Sequence, residues 1–100
     1  MALAPTRLGL LVEQHRKQIL AVVRRHRGRS IAVFGSVARG EDGPESDVDF
    51  LVELDPGSSL FDLMHLEDDL RDLLRCRVDV VSVGALLDRD DDIRGDAVLL

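Results

Sequence analysis

The feature that most constrains the fold is a pair of apolar runs joined by a short polar connection, in the stretch IAVFGSVARGEDGPESDVDF. The first run, residues 31–34, leads into Gly35 and Ser36, and the second run is opened by Asp47 and Asp49. Side chains two residues apart on a strand share a face. The pattern therefore predicts a strand, a phosphate-binding turn and a second strand that carries two carboxylates on one side.

Two carboxylates held this close need a counter-charge. Like charges about 4 Å apart repel by on the order of 4 kcal/mol at an effective dielectric near 20. Oxygen ligands with no Cys or His nearby favour Mg²⁺, with Mn²⁺ as the alternative, and Mg²⁺ is commonly held by one or two carboxylates together with substrate phosphates. We therefore predict that Asp47 and Asp49 bind metal.

The turn supplies groups suited to a phosphate. Gly35 lets the backbone approach an anion closely, and the Ser36 hydroxyl and neighbouring amides can donate hydrogen bonds to it. Arg39 can add a charge-assisted fork.

Taken singly, each of these elements is more often structural, because aspartate before a strand forms turns and Gly-Ser is a common loop pair. Glu41, Asp42 and Glu45 in the connection are interpreted as solvated loop acids. The order and spacing of the whole stretch favour the functional interpretation.

The string GSVARGEDGPESDVDFLVEL, followed further on by VDVVS, resembles the minimal nucleotidyltransferases. These small proteins belong to the superfamily built on the DNA polymerase beta palm, whose signature is Gly-Ser, a spacer of about this length and Asp-x-Asp. The resemblance covers about residues 8–87. It implies a palm-like fold with a third acid on the strand that follows the long helix, which is Asp79 in this sequence.

Apolar periodicity places the remaining elements. A strand, helix and strand of this length form a right-handed crossover with parallel strands, whereas the first two strands are expected to be antiparallel so that Asp-x-Asp meets Gly-Ser. The predicted fold is α/β (α+β), with helices packed on a small mixed three-stranded sheet. The predicted parts are an N-terminal helix over 6–26, a catalytic core over 30–83 with strands at 31–34, 48–54 and 77–82 and a helix at 60–75, and a C-terminal tail over 84–100.

Asp79 has two interpretations. The parallel crossover places it beside Asp47 and Asp49, as a third ligand. The alternative is a strand-edge acid paired with Arg75 or Arg77, and the family resemblance favours the ligand. His15 and His26 lie on or beside the apolar stripe of the first helix and are interpreted as boundary residues.

Composition narrows the classes of function. The 100 residues are expected to form one domain. The net charge of −6 divides into +6 over residues 1–29 and −12 beyond them. With no Trp or Tyr and three Phe, the chain lacks the stacking platforms of nucleic-acid binders, so direct nucleic-acid binding is not expected. We find neither a membrane-spanning run nor a signal peptide, and the single Cys76 indicates no disulfide framework, so a cytoplasmic location is predicted.

The resemblance implies an antitoxin that transfers AMP from ATP to a tyrosine of a HEPN-domain toxin, a ribonuclease, in a hetero-oligomer. In the two-metal scheme, Asp47, Asp49 and Asp79 hold two Mg²⁺ ions, and Asp79 helps to take the acceptor proton. Gly35, Ser36 and Arg39 steady the leaving pyrophosphate. Two alternatives stay open, namely transfer to a small-molecule hydroxyl and neutralisation of a partner by binding alone.

Overall fold

The computed structural model describes residues 3–85 and 95–100. Within these residues, the chain forms α1 (Arg7–Gln14), α2 (Arg16–Arg25), β1 (Gly28–Phe34), α3 (Gly35–Arg39), β2 (Val48–Leu54), α4 (Leu60–Leu74), β3 (Val78–Ser82) and β4 (Val98–Leu99), with a 3₁₀ turn at Val83–Ala85. The acidic run of the predicted tail, 88–92, lies outside the described residues.

The strands form a mixed sheet in the order β3-β2-β1-β4. β1 and β2 are antiparallel, and Phe34 is the partner of Asp49. β2 and β3 are parallel, and Asp49 is the partner of Asp79. Both strand orientations and the α/β fold class predicted from the sequence are confirmed.

The sheet has a fourth strand that the three-stranded prediction lacked. β4 pairs antiparallel with β1, where Ala32 faces Leu99 and Val33 faces Val98, and the amide of Leu100 donates to the carbonyl of Ile31 at 3.0 Å. Without β4, that side of β1 would expose a row of unpaired backbone groups. A strand of two residues is too short to show a period in the sequence, so its position depends on the edge it covers.

The predicted helix over 6–26 is two helices, and the prediction of a continuous helix was wrong at His15. This residue has φ −108° and ψ 15°, outside the helical region. Its amide is shared between the carbonyls of Leu11 (3.3 Å) and Val12 (3.1 Å), and its ring Nδ1 lies 2.9 Å from the same Leu11 oxygen. A side chain that competes for a backbone acceptor and a tightened last turn both interrupt a helix.

One face of the sheet carries the core. Val48, Phe50 and Val52 of β2 are fully buried, and α2 contacts β1 and α4 while α4 contacts β3. Residues that alternate with these on β2 and β3 must emerge on the other face. Asp49 and Asp79 are such residues, so the sheet separates them from its apolar face.

α4 begins at a capping box. The Ser59 amide donates to Asp62 Oδ2 at 2.9 Å, and the Asp62 amide donates to Ser59 Oγ at 3.4 Å, which satisfies two amides that a helix start leaves unpaired. Leu60, Phe61 and Met64 are exposed. The first turns of α4 are therefore less buried than the rest of the helix, where Leu66, Leu70 and Leu74 lie in the core.

Among residues 3–85 and 95–100, no helix combines the length and apolar character that crossing a bilayer requires.

Candidate active site

The turn between β1 and α3 is built on Gly35. Its φ of +73° lies in the left-handed region, which side chains other than glycine adopt with difficulty. A Cβ placed on Gly35 would lie 2.5 Å from Asp49 Oδ2. Two features therefore require glycine at this position: the left-handed backbone, and the Asp49 carboxylate that packs directly against it. Ser36 follows in the first turn of α3 and is half-buried.

The strand register brings the three predicted aspartates to one edge of the sheet. Asp47 immediately precedes β2, Asp49 is its second residue, and Asp79 is the second residue of β3. Asp49 faces the end of β1 on one side and Asp79 on the other. The structure thus places Asp47, Asp49 and Asp79 beside the Gly35 turn.

The negative charges of these residues affect one another. The pKa of Asp49 is raised, first because burial penalises the charged carboxylate and then because Asp79 and Asp47 add negative charge nearby. The Arg39 guanidinium acts in the opposite direction and lowers the Asp49 pKa. Excess negative charge around a half-buried carboxylate is an electrostatic environment that attracts a cation.

Arg77 is a site neighbour that the sequence analysis considered only as an alternative partner of Asp79. Its Nε lies 2.9 Å from Asp47 Oδ1, although without the alignment of a hydrogen bond, and its Nη2 donates to the backbone carbonyl of Glu45. The pairing follows from the parallel register, because the Val48 amide donates to the Arg77 carbonyl at 3.0 Å. One residue before the observed pair of Val48 and Val78, the same register places Arg77 beside Asp47.

Arg39, predicted to bind phosphate, lies between two carboxylates. Its Nη1 donates to Asp96 Oδ2 at 3.0 Å and its Nε donates to Glu41 Oε2 at 3.4 Å. The side chain is 44% exposed. Nothing in the local sequence near Arg39 indicated Asp96, because the two residues meet only when β4 joins the sheet.

Asp42 differs from the predicted solvated loop acid. Its Oδ2 accepts a hydrogen bond from the Leu8 amide at 3.2 Å, and Thr6 Oγ1 accepts from the Gly9 amide at 3.1 Å. Together they satisfy two of the amides that the start of α1 leaves unpaired. Asp42 therefore ties the connection before Asp47 to the N-terminal helix.

The donor set can be compared with the predicted metal. In the described part of the chain, no three carboxylate, imidazole or thiol side chains converge as a preformed metal site. Asp47 and Asp49 nevertheless offer hard oxygen donors, and the pKa of Asp49 is raised first by burial and then by the negative charge of its neighbours. A pair of carboxylates completed by substrate phosphates is how proteins commonly hold Mg²⁺. The residues present fit that arrangement and do not form a closed cage.

A groove of about 540 Å³ lies at the opposite end of the sheet. It is lined by the last residues of β2 and β3, Leu54 and Ser82, and by Leu60 and Leu63 of α4. The aspartates are at the beginnings of the same two strands, so the groove is not part of their site.

Comparison with known proteins agrees with this geometry. The nucleotidyltransferase domain family matches residues 15–97. A candidate protein adenylyltransferase of Methanocaldococcus jannaschii is 33% identical over 75 residues, which are 75% of this chain and 81% of that protein. The protein adenylyltransferase MntA of Thermococcus cleftensis is 47% identical over 58 residues, which are 58% of this chain and 59% of that protein.

Solved structures show the same fold. The structure of a candidate minimal nucleotidyltransferase superimposes with a TM-score of 0.81 at 38% identity, over 89% of this chain and 92% of that chain. A chain of a toxin-antitoxin complex with AMP-PNP has a TM-score of 0.71 at 20% identity, over 83% of this chain and 69% of that chain, a likeness of fold alone. This chain belongs to the nucleotidyltransferase domain family and, within it, to the minimal nucleotidyltransferases.

Proposed function

We propose that this chain is a Mg²⁺-dependent protein adenylyltransferase, which transfers AMP from ATP to a tyrosine hydroxyl of a HEPN-domain toxin and thereby inactivates it in the cytoplasm. Family membership supports nucleotidyl transfer as the class of reaction. One observation carries the proposal for this chain: the Asp49 carboxylate is packed against the Gly35 turn. Carboxylates for a cation and a turn for phosphate are thus adjacent, as the transfer requires.

The reaction divides between the two sides of this site. The acceptor oxygen would attack the α-phosphorus of ATP, a new phosphorus-oxygen bond would form, and the bond to the β-phosphate would break to release pyrophosphate. Asp47 and Asp49 would hold Mg²⁺, which when bound offsets the negative charge of the phosphates. Asp79, on the exposed side of Asp49, would complete the ligand set and accept the proton of the attacking hydroxyl.

The Gly35 turn would serve the leaving group. The Ser36 hydroxyl and the amides at the start of α3 would donate to pyrophosphate oxygens, and Arg39 would add positive charge from the end of the same helix. Asp47 would have to exchange its contact with Arg77 for the cation. That contact is partly exposed, and exposed ion pairs contribute little to stability, so its loss costs little free energy.

A toxin partner is proposed on two grounds. The relatives compared above include a protein named as a protein adenylyltransferase, and the fold recurs in a chain of a toxin-antitoxin complex. A protein acceptor also suits a chain whose aspartates lie at one edge of the sheet, with Asp79 open to solvent. Such a site needs its acceptor presented by another molecule.

The test is intact-mass analysis of the HEPN-domain partner after incubation with this chain, ATP and Mg²⁺. We expect a gain equal to one or more AMP groups. The Asp47→Asn, Asp49→Asn double variant should give no gain, because it removes the charge while keeping the shape of both side chains. Asp68→Asn is the matched control, since this aspartate is exposed on α4 and pairs only with Arg71 among the described residues.

The outcome also separates the proposal from its alternatives. A partner that is neutralised equally by the wild type and the double variant, without a gain in mass, would replace transfer by neutralisation through binding. Peptide mapping of the modified partner would identify the acceptor, and a modified side chain other than tyrosine would correct that part of the proposal. Omitting Mg²⁺, or replacing it with Mn²⁺, tests the metal.

A further inference from the structure

The C-terminal strand delivers an acidic residue to the candidate active site. β4 pairs with β1 through Ala32 with Leu99 and Val33 with Val98. In an antiparallel ladder, moving forward along one strand means moving backward along the other. Asp96 precedes β4 by two residues, at the end of β4 that pairs with Val33, one residue before the last residue of β1. Asp96 therefore reaches the phosphate-binding turn from a part of the chain that lies far from it in sequence.

Asp96 contacts a predicted phosphate ligand through a defined atom pair. Arg39 Nη1 donates to Asp96 Oδ2 at 3.0 Å, whereas Arg39 Nε donates to Glu41 Oε2 at 3.4 Å. A guanidinium carries five N–H donors in a rigid, planar fork. Two of them are used by these acids, which leaves three for a phosphate.

We propose that Asp96 is a positioning residue, which holds the Arg39 guanidinium beside the Gly35 turn in readiness for the phosphates of ATP. The inference rests on the proposed function, and it adds a role for β4 that neither the Gly-Ser turn nor the Asp-x-Asp pair contains. Arginine is long and flexible, and ordering it on a phosphate costs rotamer entropy. A side chain already held in place by Asp96 binds with a smaller loss of entropy.

The position of the guanidinium supports this role. Arg39 is the last residue of α3, the five-residue helix that begins at Gly35, so its guanidinium lies on the same short element as the Gly35 turn. Arg39 and Asp96 are 44% and 41% exposed, which leaves room for a ligand to approach the remaining donors. Asp96 would also repel the phosphates of ATP. If this repulsion were the larger effect, Asp96→Ala would bind ATP more tightly than the wild type in the experiment below.

The experiment measures ATP binding in the presence of Mg²⁺, together with KM and kcat for AMP transfer, for the full chain. Asp96→Ala and Asp96→Asn should weaken ATP binding by about two- to fivefold, the range that the contribution of one exposed ion pair sets, while kcat changes by less than about twofold. Asp96→Glu should restore part of the affinity. In an Arg39→Ala background, Asp96→Ala should have no further effect, because independent sites add and coupled sites do not.

Asp55→Ala is the matched control. Asp55 also forms a surface ion pair with an arginine, at 2.9 Å from Arg29, but it follows β2 at the end away from the aspartates. We expect its ATP binding to equal that of the wild type. Thermal unfolding of every variant shows whether any change in affinity accompanies a change in stability.

The outcomes separate this inference from the function on which it rests. Tighter or unchanged ATP binding in Asp96→Ala, or the same loss in the Arg39→Ala background, would overturn the positioning role. ATP binding that depends on Asp96 as described, without AMP transfer by the wild type, would overturn only the proposed transfer. A wild type that binds no ATP would overturn both.

Discussion

Gly35→Ala tests the packing of the site most directly, because the structure predicts separate effects on stability and on activity. An alanine at φ +73° is destabilised by the left-handed conformation by about 1–2 kcal/mol. Its Cβ would lie 2.5 Å from Asp49 Oδ2, whereas ordinary contacts begin at 3.4 Å. The carboxylate must therefore retreat by about 0.9 Å.

This displacement falls on a group that is proposed to bind metal. The Asp49 carboxylate ends a short side chain and can rotate away at little cost in stability, so the loss appears in the reaction. A misplacement of about 1 Å in a reacting constellation can lower a rate by on the order of 100-fold. We expect Gly35→Ala to lose about 1–2 kcal/mol of unfolding free energy and on the order of 100-fold in AMP transfer.

Gly57→Ala is the matched control for the backbone. Gly57 also has a positive φ, +90°, but a Cβ there would meet no heavy atom within 4 Å. It should lose a similar amount of unfolding free energy in chemical denaturation and keep its rate of AMP transfer. The reasoning is refuted if Gly35→Ala transfers AMP within a few-fold of the wild type, or if both variants lose activity equally.

Three further substitutions test other parts of the structure. Asp49→Asn should abolish transfer yet raise the melting temperature of the metal-free protein at neutral pH, because the Asp49 pKa is raised on folding and its ionised form therefore opposes folding. The gain in melting temperature should grow as pH rises through the folded pKa and vanish below about pH 4, and a gain independent of pH would contradict this. His26→Ala removes a 2.6 Å hydrogen bond to Asp69 that joins the end of α2 to α4 and should cost about 1–2 kcal/mol of unfolding free energy. Arg25 lies 3.5 Å from the same carboxylate and is 65% exposed, so Arg25→Ala should change stability by less than about 0.5 kcal/mol, and equal losses would show that the His26 bond is not the stronger contact. Asp42→Ala leaves a first-turn amide of α1 unpaired and should cost about 0.5–2 kcal/mol, which Asp42→Asn should largely restore; a variant as stable as the wild type would show that the contact contributes nothing.

The elements that the sequence predicted well are those determined by neighbours along the chain. β2 spans 48–54 as its apolar run indicated, and α4 begins at the Ser59 and Asp62 capping box, because capping and side-chain alternation act within a few residues. The sheet orientations were also predictable, since chain connection and the need to bring Asp49 to Gly35 leave few alternatives.

The contacts that the sequence did not predict depend on register and on distant pairing. Arg39 and Asp96 are 57 positions apart, and they meet because β4 covers the open edge of β1. Arg77 was considered as a partner of Asp79, its near neighbour in sequence. In the parallel pairing the residue beside Arg77 comes from the adjacent strand, so Arg77 reaches Asp47. The break at His15 was missed because the apolar stripe continues through it, while the interruption arises from a ring nitrogen beside one carbonyl.

The placement of the aspartates explains why catalysis and binding can be tested separately in this protein. Asp49 and Asp79 each lie between two buried apolar residues, so the core is filled by Val48, Phe50 and Val80 whatever stands at the acidic positions. Changing the carboxylates to amides alters the charge at the sheet edge and leaves the packed face untouched. A variant that lacks Asp49 therefore keeps the packed face and changes only the charge at the sheet edge. If such a variant still binds the partner as the wild type does, a loss of neutralisation comes from the lost chemistry.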